Sequence, residues 1–156
     1  MTTSLAACQL DDDALFGIAS QIWTAYLDPD GTRPLVRAAA ANPTEVVASI
    51  SVTGGWDGHV VIGCSRAAAA AIAAAMLDLP PDEVTSADMF DAAGELVNVV
   101  GGNVKSMLPS ASLLSLPKTT SGSEQPRYPG TRPVCTTTGV WQGEPVTITV
   151  LHVDLT

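Results

Sequence analysis

The chain has 156 residues, 46% hydrophobic and 15% charged, with a formal net charge of −9. A chain of this length suits one domain that buries roughly two-thirds of its unfolded surface, and so many apolar residues exclude a disordered polymer. Seven basic residues stand against sixteen acidic ones, and they are scattered, which argues against a nucleic-acid partner or an anionic membrane surface.

The first residues, "MTTSLAACQLDDD", lack a basic segment before an apolar run, so no secretory signal is expected. The alanine-rich run at 67–77 is too short and too weakly hydrophobic to span a bilayer. These features predict a cytoplasmic protein with no membrane partner. A first helix is expected over residues 11–27. Its three aspartates sit where the helix dipole favours negative charge, and Leu15, Ile18, Ile22 and Tyr26 recur at helical spacing. "VVASISV" alternates as a strand, "TGGWDG" signals a hairpin turn, and "HVVIGC" is the returning strand. Ser65 is placed to cap a second helix, "RAAAAAIAAAML", which "DLPPDE" ends.

Thr85 and Asp88 form a capping-box pair at the start of a third helix that runs to about Leu108. "ASLLSL" reads as a short strand, and residues 118–133 read as a Ser/Gly/Pro-rich loop. Two final strands, "VCTTTGVW" and "EPVTITVLHVDL", face each other across "QGEP". The apolar alternation of the last one changes phase between Val150 and Leu151, which predicts a bulge or burial of both faces. Paired strands with segregated helices predict an α+β fold, a largely antiparallel sheet with two or three helices packed on one face.

Three cysteines, Cys8, Cys64 and Cys135, have no metal-like spacing and are read as reduced, partly buried thiols. His59 and His152 fall in separate strand patterns and are read neither as metal ligands nor as triad members. No metal site is predicted. Phosphate-cradling loops and a Gly-x-Ser-x-Gly elbow are absent from the sequence.

The third helix, "DAAGELVNVVGGNVKSML", is poorly optimised for its own sake. It holds Gly94, Gly101 and Gly102, each costing about 1 kcal/mol relative to alanine. At about 100° per residue, Met89, Ala93, Leu96, Val97, Val100, Val104 and Met107 share one broad apolar sector. Asp91, Glu95, Asn98, Gly102 and Lys105 share a second, about 80° wide by the same arithmetic. A wet helix face normally avoids asparagine, which competes for backbone hydrogen bonds. A carboxylate, a carboxamide and bare backbone in line instead suggest a docking edge. Asn103 falls near the apolar edge and is expected to bond to a nearby backbone group.

At these residues the chain resembles the CheC/CheX/FliY chemotaxis phosphatases. The resemblance rests on Asp91-x3-Glu95-x2-Asn98, on Gly102-Asn103 and on "LPKTTSG", and "SISVTGGWDGHVVIGCSRAAAAAIAAAML" is similar to the hairpin and helix that precede the motif there. A single motif copy and the overall length are similar to the CheX branch. One departure is the interval 98–117, which is a few residues shorter than in the family.

The resemblance implies a single CheX-like domain over residues 1–156 that hydrolyses the aspartyl phosphate of a CheY-like response regulator. Asn98 would orient the attacking water and Glu95 would pair with the regulator's lysine, while Asp91, Gly102 and Lys105 would complete the partner-binding stripe. No cofactor of its own is implied, since Mg²⁺ would reside on the regulator, and a homodimer built through sheet edges is implied. Two other readings use the same chain: a non-catalytic adaptor for a receiver domain or flagellar switch component, and a dimerisation module without a receiver partner.

Overall fold

The computed structural model describes residues 10–109, 111–122 and 127–154. Among these, three α-helices lie on one face of a seven-stranded antiparallel sheet. The helices are α1 (Asp12–Ile22), α2 (Arg66–Met76) and α3 (Ser86–Lys105). The strands are β1 (Val36–Arg37), β2 (Val46–Gly54), β3 (Gly58–Cys64), β4 (Ser112–Leu114), β5 (Lys118–Ser121), β6 (Thr131–Trp141) and β7 (Glu144–Val153). They order as β1-β6-β7-β3-β2-β4, with β5 also on β2. Among the described residues no helix is long and apolar enough to cross a membrane.

Strand alternation explains which face carries the core. Val46, Ala48, Ile50 and Val52 of β2, Val60 and Ile62 of β3, and Val146, Ile148 and Val150 of β7 are buried on the helix side. They form one cluster with Leu15, Ile18 and Ile22 of α1, Ile72 of α2 and Leu96, Val97, Val100 and Val104 of α3. The β2–β3 hairpin turns beneath buried Trp56, whose ring lies 4.9 Å from that of His152. Gly58 is required there: a Cβ would stand 2.4 Å from the Trp56 ring. Between β6 and β7, Gln142 and Gly143 both take positive φ, the backbone a two-residue hairpin loop needs.

The first helix differs from its expected course. Asp11 caps α1, with its Oδ1 accepting from Ala14 N at 2.7 Å, and the α-helix ends at Ile22. Trp23–Leu27 continue as a wider π turn, closed by Asp28 N donating to Trp23 O. The wider turn moves the next buried positions to Trp23 and Leu27, and Tyr26 is left 51% exposed.

Three further differences lie in the strands. The loop expected at 118–133 is cut into by β5 and by the first residues of β6, while residues 123–126 lie outside the described set. β5 is polar because it sits at the sheet edge, where only its threonines mark it as strand. β4 and β5 are in effect one edge strand, interrupted at Ser115–Pro117, where proline cannot donate to the ladder. Ser115 Oγ fills the gap by accepting from Ser51 N at 2.9 Å. The phase change at Val150/Leu151 does mark a bulge, but the extra residue lies on the facing strand: Leu151 pairs with Pro133 and Val150 with Cys135. The two-residue strand β1 carried no sequence signal.

Cys64 and Cys135 are buried, and Cys8 lies outside the described residues. Burial pushes the Cys64 thiol up to about 12, with Glu45 adding to the effect, so it stays protonated and inert at neutral pH.

Candidate functional site

Helix α3 is held at its start by a cap and along one face by the core. Its start is fixed by a complete capping box: Asp88 N donates to Thr85 Oγ1 at 3.1 Å and Thr85 N donates to Asp88 Oδ2 at 2.9 Å. Arg66 of α2 donates to Ser86 Oγ at 2.6 Å, which ties the two helices at this corner. Leu96, Val97, Val100 and Val104 are each fully buried against the sheet. Near its other end, Asn103 Nδ2 donates to Val99 O at 2.9 Å, so Asn103 has a backbone partner although it is exposed.

The glycines divide by environment. A Cβ on Gly101 would stand 3.0 Å from Ile50 Cγ2, so this residue lets the helix lie close on β2. At Gly102 the same Cβ would meet nothing within 4 Å. A Cβ on Gly94 would make only ordinary contacts, at 3.5 Å to Thr119 Oγ1 and 3.6 Å to Pro117.

Asp91, Glu95, Asn98 and Gly102 are all exposed, and Lys105 is half-buried in the last turn. Glu95 and Asn98 are three residues apart, which puts their Cβ atoms about 5–6 Å apart on one helix face. Among the described residues, the side chains of Asp91, Glu95 and Asn98 make no hydrogen bond or ion pair. A rigid helix therefore presents an acceptor-only carboxylate beside a carboxamide that can both donate and accept, neither consumed by the fold.

Beside this stripe runs a groove that the sequence did not reveal. It has a volume of about 300 Å³ and is lined by Phe90, Asp91, Gly94, Glu95, Pro117 and Thr119. Thr119 Oγ1 donates to Phe90 O at 3.2 Å, so β5 is fastened to the helix turn that carries Asp91. The interval 98–117 thus brings Pro117 against Gly94. The only sequence hint was a glycine next to Glu95 with no turn to require it.

With this geometry in place, the comparisons with known proteins are specific. The family model for the chemotaxis phosphatase CheX matches residues 46–138, more than half of the chain, including both Glu95 and Asn98. The chain belongs to the CheX family. No curated protein sequence matches it significantly. Among solved structures it is similar to the chemotaxis protein CheX from Vibrio vulnificus, at 17% identity and TM-score 0.71, over 88% of this chain and 93% of that one. It is also similar to a chain of the CheX-CheY-BeF3-Mg²⁺ complex from Borrelia burgdorferi, at 12% identity and TM-score 0.67, over 90% and 96%. FliY from Thermotoga maritima shares 16% identity at TM-score 0.60, over 99% and 89%. Identities this low establish a common α+β fold.

Among the described residues no three His, Cys, Asp or Glu side chains converge. The stripe holds two carboxylates four residues apart, an amide and bare backbone.

Proposed function

We propose that this CheX-family chain is a phosphatase that hydrolyses the aspartyl phosphate of a CheY-like response regulator, with Asn98 and Glu95 as its working residues. The observation that carries the reading is the pair itself: both side chains are exposed, without a partner among the described residues, and side by side on a helix whose other face is fully buried. The 156 residues act as one CheX-like domain in the cytoplasm, where receiver domains are phosphorylated.

A carboxamide is too weak a base to deprotonate water, so the role of Asn98 is positional. Its carbonyl oxygen accepts from the attacking water while its amide donates to the partner, and the water oxygen is held in line with the phosphorus. The water oxygen bonds to phosphorus, the acyl P–O bond breaks, the aspartate leaves as a carboxylate and the proton leaves with inorganic phosphate. The regulator's own Mg²⁺ supplies charge neutralisation on the phosphoryl oxygens. Glu95 pairs with the regulator's lysine, and closing the interface over that pair makes it count for more than a solvated ion pair. Asp91, Gly102 and Lys105 extend the contact along the same stripe.

We also read the chain as a homodimer joined at a sheet edge. Among the described residues β1 pairs only with Gly139 and Val140 of the eleven-residue β6. Ala38 N donates to Thr138 O, Thr136 N donates to Asp12 Oδ1, and among the described residues the edge before Thr136 has no strand partner. Light scattering at assay concentration tests this part alone, and a monomer mass sinks it.

The experiment for the phosphatase reading mixes the protein with each phosphorylated receiver domain from the same genome and follows loss of the acyl phosphate. One receiver is expected to lose its phosphate faster, and Asn98→Ala is expected to abolish most of that acceleration while binding persists. A protein that binds a receiver but accelerates the decay of none is an adaptor, and the phosphatase reading falls.

A further inference from the structure

The groove beside the stripe has properties that the fold does not require. Gly94 forms part of its wall, yet a Cβ there would meet its neighbours only at ordinary contact distances. Alanine would therefore fit and would stabilise the helix. Phe90 and Pro117 supply apolar surface, and Asp91 and Glu95 border the space with carboxylates that lack partners among the described residues. An open groove that sets apolar Phe90 and Pro117 beside two carboxylates matches an amphipathic cation, a side chain with a hydrocarbon stem and a charged head.

We infer that the Gly94 groove is a specificity pocket that receives a lysine or arginine side chain from the surface of the receiver, with its stem along Phe90 and Pro117 and its charge at Asp91. This contact is separate from the pairing of Glu95 with the regulator's lysine, and it rests on the phosphatase reading above. Charge complementarity commits the groove to that occupant. The chain carries a formal charge of −9, so long-range forces repel an acidic partner, and a local basic contact is what selects one receiver among many. The groove volume of about 300 Å³ has room for one long side chain.

Two glycines make an internally controlled test. Gly17 on α1 has nothing within 4 Å of a Cβ and lies outside the stripe. Gly17→Ala and Gly94→Ala are both expected to raise Tm, by about 2–4 °C. Only Gly94→Ala and Asp91→Asn should raise the receiver concentration that gives half-maximal dephosphorylation, by about tenfold, with the maximal rate unchanged. Asp91→Asn should also flatten the dependence of that concentration on salt. Asn98→Ala is expected to show the opposite split, a lower maximal rate at an unchanged half-saturating concentration. If Gly94→Ala and Asp91→Asn both behave as wild type on a receiver that the wild type dephosphorylates, the pocket is overturned and the phosphatase reading stands. If the wild type accelerates no receiver, the phosphatase reading fails and the pocket fails with it.

Discussion

Gly101 and Gly102 are chain neighbours on one helix, and they answer to different masters. Gly101 faces β2, where Ile50 leaves a Cβ only 3.0 Å. Gly102 faces open space, where any side chain would fit. The inner face of α3 is thus dictated by the sheet, and the outer stripe is not dictated by the fold at all. A helix face that is free to be alanine and lysine, yet carries Glu95, Asn98 and a bare glycine, is not explained by the fold.

That contrast breaks cleanly under substitution. On the inner face, Leu96→Ala removes a fully buried side chain and should cost about 2–5 kcal/mol of stability, read as a lower denaturation midpoint. On the outer face, Asn98→Ala should cost no stability, since alanine is the better helix former. It should instead slow receiver dephosphorylation about 10²-fold, roughly 3 kcal/mol of barrier. A wild-type rate for Asn98→Ala would leave the stripe without a catalytic role. Asn98→Asp should fare no better than alanine, because a new negative charge beside the phosphoryl group is repelled.

The adjacent glycines sharpen the comparison at a smaller scale. Gly101→Leu forces a branched side chain into Ile50 and Leu114 and should lose about 1–3 kcal/mol. Gly102→Leu should leave stability within about 0.5 kcal/mol of wild type, or raise it slightly, and weaken receiver binding. Equal denaturation midpoints for the two variants would mean that the helix does not lie on β2 as described.

The same division explains what could be read from the residues alone. The buried face of α3, the β2–β3 and β6–β7 hairpins and both helix caps were legible, because each has a local cause: a period, a turn pair, a capping side chain. The exposed stripe was legible for the opposite reason, since Asn98 and Gly102 contradict the propensity of their helix. β5 was read as loop because its residues answer to an edge position on β2, which no local pattern encodes. Tyr26 was counted with Leu15, Ile18 and Ile22 at helical spacing because a π turn, which moves burial to Trp23 and Leu27, leaves the α-helical period intact in the letters. The groove was missed because Gly94 and Pro117 lie 23 positions apart and meet only once β5 has paired with β2.

The smallest effect belongs to the opposite face of the sheet, where none of the described helices lies. His59 stacks on Tyr128 with ring centroids 4.9 Å apart, and its Nδ1 is 3.3 Å from Ser51 Oγ. Partial burial there holds the imidazole below its ordinary value of 6.5, because desolvation disfavours the charged ring. The unfolded chain then binds a proton more readily than the folded one. The contribution of His59 to stability is therefore complete above about pH 6.5 and is lost as the pH falls through the lowered folded value. His59→Gln removes that titration while keeping a polar side chain next to Ser51. Chemical denaturation at pH 7.5 and pH 5.5 should show the wild type losing slightly more stability than His59→Gln over that interval, and an equal or smaller loss would mean that the ring is not desolvated. Receiver dephosphorylation, measured at pH 7.5, should be the same in both, because the sheet separates this ring from the stripe on α3.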